Sequence, residues 1–274
     1  MAAISLTAQM TTNLLALQNT AKLMGITQDH LATGKKVNSA IDDPVAFFDA
    51  DAHYQLANDY ATFKNGMSEA VQTMKAATDT IESIKSLLQQ MKSIATSAKS
   101  VTSDEESDTL MNQYNELRSQ IDELAGDAIY KGINLLNSDT LNVVFNVEGD
   151  DLAVTGFAAD AEGLGVSAIA DNDWFNGSVY ASTVDSAIAL IDAAVTTLRS
   201  EAKKLASNLG IVTTRQDFTD KMIATLKIGG DNLTLADMNE EGANMLMLQT
   251  RQALGIQSLS MASQSAQQVL QLFQ

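Results

Sequence analysis

One stretch decides the fold: residues 184–226 read VDSAIALIDAAVTTLRSEAKKLASNLGIVTTRQDFTDKMIATL. Apolar or tolerated residues recur there every three or four positions. These positions are Val184, Ile188, Ile191, Val195, Leu198, Ala202, Leu205, Leu209, Val212, Gln216, Thr219, Ile223 and Leu226. A seven-residue apolar repeat is typical of a helix that packs against other helices along its length. The stretch predicts one long helix, roughly 65 Å if unbroken, in an elongated molecule.

Two shorter repeats of the same kind precede it. The first contains Met67, Val71, Met74, Thr78, Ile81, Leu88 and Ala95, and the second contains Leu110, Tyr114, Leu117, Ile121, Leu124 and Ala128. Ser103, just before the second repeat, suits a helix N-cap. Asp42-Asp43-Pro44 also predicts a helix start, in preference to a pair of catalytic carboxylates. Together with a single proline and few aromatic residues, these patterns predict a mainly α protein.

Both ends of the chain carry the apolar repeat with almost no charge. It falls on Met10, Leu14, Leu17, Ala21, Met24 and Leu31 at one end, and on Leu248, Gly255, Leu259, Ala262, Ala266, Val269 and Phe273 at the other. Lys22 is the only charged side chain in residues 1–28, and Arg251 the only one in residues 242–274. The acidic excess behind the net charge of −17 therefore lies between them. We expect the two terminal helices to pair and to be covered, while the acidic middle faces water; two flexible tails are the alternative.

The helical period is interrupted between residues 132 and 178. Residues 140–147 and 152–155 alternate apolar with polar side chains on either side of Glu148-Gly-Asp-Asp151, which predicts a β-hairpin. The order of elements predicts an inner domain of residues 1–42 and 235–274, and an outer helical domain of residues 43–234. The hairpin insert, about 132–178, belongs to the outer domain. A dimeric coiled coil with a β tip fits the same pattern.

Candidate sites for catalysis, cofactors or metals fail on their spacing. His30 and His53 have no metal-ligand or nucleophile arrangement around them, and we expect both at solvated helix positions. The chain has no cysteine, which excludes disulfides and thiolate chemistry. The charge of −17 argues against nucleic acid. The sequence contains no run of eighteen apolar residues, so we predict no membrane insertion. We predict a protein that is not an enzyme and has no cofactor or metal.

The two ends resemble the bacterial flagellins. Residues 31–43, LATGKKVNSAIDD, are similar to the flagellin stretch LSSGLRINSAKDD. Residues 241–255, EGANMLMLQTRQALG, and 258–273, SLSMASQSAQQVLQLF, resemble the C-terminal signatures ANxLxLQTRQQLG and SLSLASQAAQSVLRLF. Residues 130–136, YKGINLL, resemble FNGxxLL. The resemblance covers both ends and the stretch before the predicted hairpin.

The resemblance implies a short flagellin, without a large outer variable domain, that self-assembles into the flagellar filament for motility. It implies secretion through a type III export apparatus without a cleaved signal, and none is visible in the first thirty residues. The expected partners are further copies of the chain, an export chaperone, and hook-associated or cap proteins. We expect the assembly seam to contain Met10, Leu14, Leu17, Met24, Leu31, Leu248, Leu259, Ala262, Val269 and Phe273.

One internal stretch departs from the family pattern. Residues 88–95, LQQMKSIA, stand where flagellins detected by a vertebrate innate receptor resemble LQRVRELA. Gln90 replaces Arg and Ser93 replaces Glu, next to Ile94. Because Gln cannot replace the guanidinium fork, we predict poor recognition by that receptor.

Two other kinds of protein fit parts of the pattern. A hook–filament junction protein shares flagellin-like ends and a similar length, although the LQTRQ stretch favours flagellin. A non-flagellar coiled-coil adhesin or secretion-system translocator would be expected to show an apolar span or charged e and g positions, which the sequence lacks.

Overall fold

The structure, a computed structural model, describes residues 8–170, 173–175 and 177–272. Its elements are α1 (Ala8–Thr33), α2 (Pro44–Ala98), α3 (Asp104–Asp127), β1 (Thr140–Val144), β2 (Asp151–Thr155), α4 (Ala181–Thr234) and α5 (Met238–Leu272). The chain divides into two compact units. Unit 1 combines the chain up to Leu56 with the chain from Thr225 onward, and unit 2 is Ala57–Ala224. The predicted mainly α class with one small antiparallel hairpin is confirmed.

The predicted helix starts are also confirmed. Ser103 is the N-cap of α3, and its side chain accepts a hydrogen bond from the amide of Glu106. The carboxylate of Asp43 accepts hydrogen bonds from the amides of Val45 and Ala46, each at 3.0 Å. Pro44 follows as the first residue of α2, where its missing N–H costs nothing. Asp43 is therefore a helix cap.

The core of unit 2 is formed along one stripe each of α2, α3 and α4. The buried positions of α2 alternate at spacings of three and four: Met67, Ala70, Met74, Ala77, Ile81, Ile84, Leu88, Met91, Ala95 and Ala98. Val71 and Thr78 of the predicted repeat are half-buried beside buried Ala70 and Ala77, and Val71 packs against the buried core. In α4, Ala187 and Ala194 are buried, and Ile188 and Val195 of the predicted repeat are half-buried beside them and pack against the core.

Three Lys–Asp pairs in unit 2 join α4 to α2 and to Lys99, the residue directly after α2. Lys64 lies 2.6 Å from Asp220, Lys92 lies 2.5 Å from Asp192, and Lys99 lies 2.5 Å from Asp185. The lysines are separated by 28 and then 7 residues in ascending order along the chain. Their aspartate partners are separated by the same intervals in descending order. These are whole heptads, so the pairs repeat one antiparallel geometry. Because the side chains are partly exposed, each pair contributes little stability.

The hairpin pairs β1 with β2 in register, from Thr140 opposite Thr155 to Val144 opposite Asp151. Inward-facing Leu141, Val143 and Val154 are buried. Arg215 of α4 places its guanidinium 5.1 Å from the centre of the Phe145 ring, a favourable cation–π distance.

The irregular chain after the hairpin is held by polar side chains of α3. Asn115 both donates to and accepts from the backbone of Ile169, at 2.8 and 3.0 Å. Arg118 donates to the carbonyl of Val166 at 3.0 Å, and Asp122 accepts from the amide of Ala161 at 2.7 Å. These bonds hold the chain from Ala161 to Ile169 against α3.

The predicted inner and outer domains stay a prediction, as does the absence of membrane insertion. In the part of the chain that the structure describes, α4 is long and apolar enough to cross a membrane by length and composition. That criterion is weak for a single helix, because core helices of soluble proteins also meet it. Val184, Ile191 and Leu198 of α4 are fully buried in unit 2.

Candidate assembly surface on the terminal helices

The terminal helices α1 and α5 pack against each other in unit 1. Gly255 of α5 lies directly against Leu17 of α1: a Cβ atom added to Gly255 would be 2.7 Å from Cδ2 of Leu17. Farther along, Nδ1 of His30 in α1 lies 2.7 Å from Oε1 of Glu241 in α5. The two contacts show that the helices run antiparallel, and that their predicted pairing is correct.

The expectation that His30 is a solvated helix residue is wrong. Its side chain is 22% exposed, and that of Glu241 is 16% exposed. A hydrogen bond between half-buried polar groups stabilises their packing. Sequence reasoning missed this pair because its members lie 211 residues apart, with no local pattern linking them. His53 is also half-buried, against Gly229.

In unit 1, the segment that follows α1 is joined to the segment between α4 and α5 by backbone hydrogen bonds. The carbonyl of Thr234 accepts from the amides of Lys36 and Val37 at 2.8 and 3.2 Å, and the carbonyl of Gly34 accepts from the amide of Ala236 at 3.0 Å. Gly34 has φ of +72°, which ends α1 and turns the chain into this pairing. The turn after α1 is thereby fixed to the turn before α5.

A second contact ties the start of α2 to the end of α4 within unit 1. The hydroxyl of Tyr54 donates to Oδ1 of Asp231 at 2.7 Å, and this bond raises the pKa of Tyr54 above its usual value. The ring covers Gly230, where an added Cβ would lie 2.8 Å from Cζ of Tyr54. Glycine at this position therefore lets the aromatic ring approach the helix backbone closely.

The structure places the predicted seam residues on α1 and α5. Met10 and Leu248 are buried; Leu17, Met24, Leu31, Leu259 and Ala262 are half-buried. Leu14 is 39% exposed. The side chain of Val269 and all of Phe273 lie outside the described residues. The role of this set in assembly stays a prediction.

Sequence reasoning missed a second apolar set on the outer sides of the same helices. Its members are all at least two-fifths exposed: Leu15, Leu23 and Ile26 on α1, and Leu246, Met247, Leu254, Ile256 and Met261 on α5. The seam search selected one stripe per helix. It passed over apolar residues that fit no single stripe, although their presence all round a helix indicates contacts on several sides.

Between α1 and α5 lies a shallow groove of about 450 Å³. Leu17, Leu23, Leu254 and Gly255 provide its apolar part, and Arg251 provides its charged group. Across the described ranges 8–170, 173–175 and 177–272, no group of three or more His, Cys, Asp or Glu residues is arranged to hold a metal ion. What this region offers is therefore apolar surface for packing.

Residues 88–95, for which we predicted poor recognition by the innate receptor, lie on α2 in unit 2. Gln90 and Ser93 are exposed, and Ile94 is half-buried. Their effect on recognition stays a prediction.

Comparison with known proteins agrees with a helical pair formed from the two ends. Residues 4–140 match the bacterial flagellin N-terminal helical region, and residues 185–273 match the bacterial flagellin C-terminal helical region. The chain belongs to the bacterial flagellin family. This flagellin is therefore a structural subunit of the flagellar filament, which is extracellular.

Curated relatives support the assignment. Flagellin FljO of Caulobacter vibrioides is 29% identical over 266 residues, which cover 95% of each chain. Flagellin FljM of the same organism is 32% identical over 151 residues, 54% of this flagellin and 53% of FljM. Flagellin A of Rhizobium meliloti is 40% identical over 93 residues, 34% of this flagellin and 24% of that protein. The match to FljM thus spans about half of that relative, and the match to FljO spans nearly all of it.

Among solved structures, a flagellar hook-associated protein from Vibrio parahaemolyticus superposes with a TM-score of 0.58 and 13% identity. The match covers 70% of this flagellin and all of that chain. Bacillus cereus flagellin gives a TM-score of 0.47 and 19% identity, covering 56% of this flagellin and 88% of that chain. At 13% identity, the first likeness concerns the fold alone and does not separate a filament subunit from a junction protein.

Proposed function

We propose that this flagellin polymerises through the apolar faces of α1 and α5. The observation that carries the proposal is the exposed set on these two helices, led by Leu246 at 67%, Leu254 at 65% and Leu15 at 61% exposed. Large apolar side chains in such number on paired helices are typical of a surface that another protein covers. In a homopolymer, that protein is the next copy.

Burial of the exposed set favours assembly. Completing the burial of a half-exposed Leu, Ile or Met gains about 1 kcal/mol, so the eight side chains of the exposed set offer roughly 8 kcal/mol per subunit before entropic costs. A helical polymer repeats these contacts at every subunit, because a heterologous contact that does not close produces an open filament.

The charge distribution favours the same arrangement. Lys22 and Arg251 are the only charged residues in 1–28 and 242–274, so packing these ends together desolvates few ions. The acidic excess of the rest of the chain keeps assembled filaments apart in solution. The low charge of the ends favours their burial, and the acidic excess of the middle favours its exposure to water.

We expect the export chaperone and the hook-associated or cap proteins to bind the same exposed set. Before assembly, these faces need cover, and an export chaperone that binds an amphipathic helix in an apolar groove would provide it. Hook-associated and cap proteins would contact the helices at the ends of a filament. We place the protein outside the cell after export, as a structural element without catalytic activity.

Leu254→Asp tests the proposal in the full chain. The side chain is 65% exposed, so an aspartate there leaves the monomer folded but puts a charge into the proposed contact. Seeded growth should fall at least tenfold in rate or extent, measured by light scattering. Val147→Asp is the matched control, because Val147 is 57% exposed in the hairpin turn of unit 2. Normal growth of Leu254→Asp would overturn the proposal.

A further inference from the structure

One exposed side of α5 carries two methionines, each one heptad away from the same leucine. Met247, Leu254 and Met261 are 46%, 65% and 55% exposed. Seven residues fall only about 20° short of two full helical turns, so the three side chains follow one line along α5, about 10 Å apart. We call these three residues the Met247 stripe.

The Met247 stripe lies beside the contact with α1 and not within it. Leu248 is buried, and Gly255 lies against Leu17 of α1. Leu248 and Gly255 each follow a stripe residue by one position, which corresponds to about 100° around the helix axis. The stripe therefore projects to a side of α5 that α1 leaves open, and solvent reaches both of its methionine side chains in the single subunit.

The other methionines of the described residues differ in exposure or in direction. Five of them are buried: Met10, Met67, Met74, Met91 and Met111. Three more are half-buried: Met24, Met222 and Met245. Met238, the first residue of α5, is 48% exposed. It precedes Met247 by nine residues, or about two and a half turns, so it lies on the opposite side of the helix.

An exposed thioether reacts with a hydroperoxide without help from other residues. The sulfur lone pair attacks one peroxide oxygen, the O–O bond breaks, an S–O bond forms, and the rest of the peroxide leaves as water or an alcohol. Sulfur loses two electrons and the peroxide gains them. The sulfoxide product is polar and disrupts Met-containing interfaces. Inside an apolar contact, its oxygen is costly to bury without a hydrogen-bond donor.

We propose that Met247 and Met261 make the assembly of this flagellin sensitive to oxidation. A hydroperoxide converts both thioethers to sulfoxides in the unassembled subunit, and the oxidised subunit joins filaments poorly. Because the Met247 stripe belongs to the exposed set, this inference rests on the proposed function. Assembly covers the stripe and protects its sulfur atoms from further oxidation.

The modification is reversible by chemistry that acts on the sulfoxide alone. Two thiols reduce each sulfoxide to the thioether, and the products are a disulfide and water. Methionine sulfoxide reductases catalyse this step, one enzyme for each sulfoxide epimer. Since the chain has no cysteine, the thiols come from the reducing system and not from the flagellin.

Peroxide treatment of two full-length chains tests the inference. The unmodified chain and the double variant Met247→Leu with Met261→Leu are treated as monomers with hydrogen peroxide. Leu keeps a similar apolar volume at both positions. The critical concentration for seeded growth of each chain is then compared with that of its own untreated sample. Treatment should raise the value about tenfold for the unmodified chain and change that of the double variant little.

Met238→Leu is the matched control, because Met238 is as exposed as Met247 but lies on the other side of α5. This variant should stay as sensitive to peroxide as the unmodified chain. Equal sensitivity of the unmodified chain and the double variant would overturn the inference while leaving the proposed function intact. Failure of the untreated, unmodified chain to form filaments would contradict the proposed function itself.

Mass spectrometry of the unmodified chain provides the second readout. Trypsin cleavage after Arg251 leaves Met261 as the sole methionine of peptide 252–274. Its oxidation by peroxide should be fast in the monomer and several times slower in the filament. Treatment of oxidised monomer with both reductases and a dithiol should restore its growth. Equal oxidation rates at Met261 in monomer and filament, or no recovery after complete reduction, would contradict the inference.

Discussion

Gly255 of α5 lies against the side chain of Leu17 of α1, so that a Cβ atom at 255 would be 3.0 Å from Cγ of Leu17. Gly242, on the same helix, has no neighbour within 4 Å of the corresponding position. Replacing a helical Gly by Ala normally stabilises the helix by about 1 kcal/mol. We expect Gly242→Ala to show that gain and Gly255→Ala to lose it, because Leu17 must move.

The comparison is made by thermal dissociation of filaments of the two variants. Gly255→Ala should dissociate at a lower temperature than Gly242→Ala. Equal dissociation temperatures would mean that α1 and α5 do not approach closely at Leu17.

The small residues in the core of unit 2 should resist enlargement. Ala194 of α4 is fully buried, and Leu there has to displace packed neighbours, which costs about 1–3 kcal/mol. Ala206 is exposed on the same helix, so Ala206→Leu should change stability by less than about 0.5 kcal/mol. Denaturant unfolding measures both. A stability loss at Ala206 equal to that at Ala194 would place the core stripe of α4 elsewhere.

Tyr114 should make unit 2 sensitive to alkaline pH. It is fully buried beside Trp174, with ring centres 5.4 Å apart, and burial raises its pKa to about 12. Below the ordinary tyrosine pKa of about 10, the phenol is neutral whether the chain is folded or unfolded. Above it, only the unfolded phenol ionises, so the free energy of unfolding falls between about pH 10 and about 12 and then levels.

Tyr114→Phe should reduce this fall without destabilising the protein at neutral pH. The hydroxyl has no hydrogen-bond partner among the described residues, so its removal sacrifices no bond. Tyr54 and Tyr130, whose pKa values are raised by hydrogen bonds to Asp231 and Glu69, leave a residual fall. Urea unfolding at a series of pH values measures the effect. The same pH dependence in Tyr114→Phe and unmodified protein would contradict it.

Recognition by the vertebrate innate receptor should be weak and recoverable. Gln90 and Ser93 are exposed on α2, so Gln90→Arg together with Ser93→Glu restores the charges at those positions without disturbing the core. The double variant should be at least tenfold more potent than the unmodified monomer in a cell reporter assay. Full potency of the unmodified depolymerised monomer would refute the prediction.

The spacing of apolar residues and the helix-capping residues predicted most of the helices. Heptad spacing located α4, Asp43 and Ser103 marked the starts of α2 and α3, and alternation located the hairpin. The repeat did not single out Ala70 and Ala77, which are buried, because hydrophobicity ranks half-buried Val71 above Ala70. His30–Glu241 was missed because only the folded chain brings these residues together.

The site was predicted less completely for a related reason. A single stripe per helix suffices to pair α1 with α5, and the seam residues describe that pairing. Apolar residues that stay exposed outside this pairing, such as Leu254 and Ile41, are recognised only in the structure.

Electron microscopy of seeded polymerisation tests the central claim most directly, by comparing the full chain with a chain lacking residues 249–274. The account predicts long filaments from the full chain and none from the shortened chain, which lacks most of α5. Filaments of equal length from both chains would contradict assembly through the terminal helices. Short caps at hook ends from the full chain would indicate a junction protein instead.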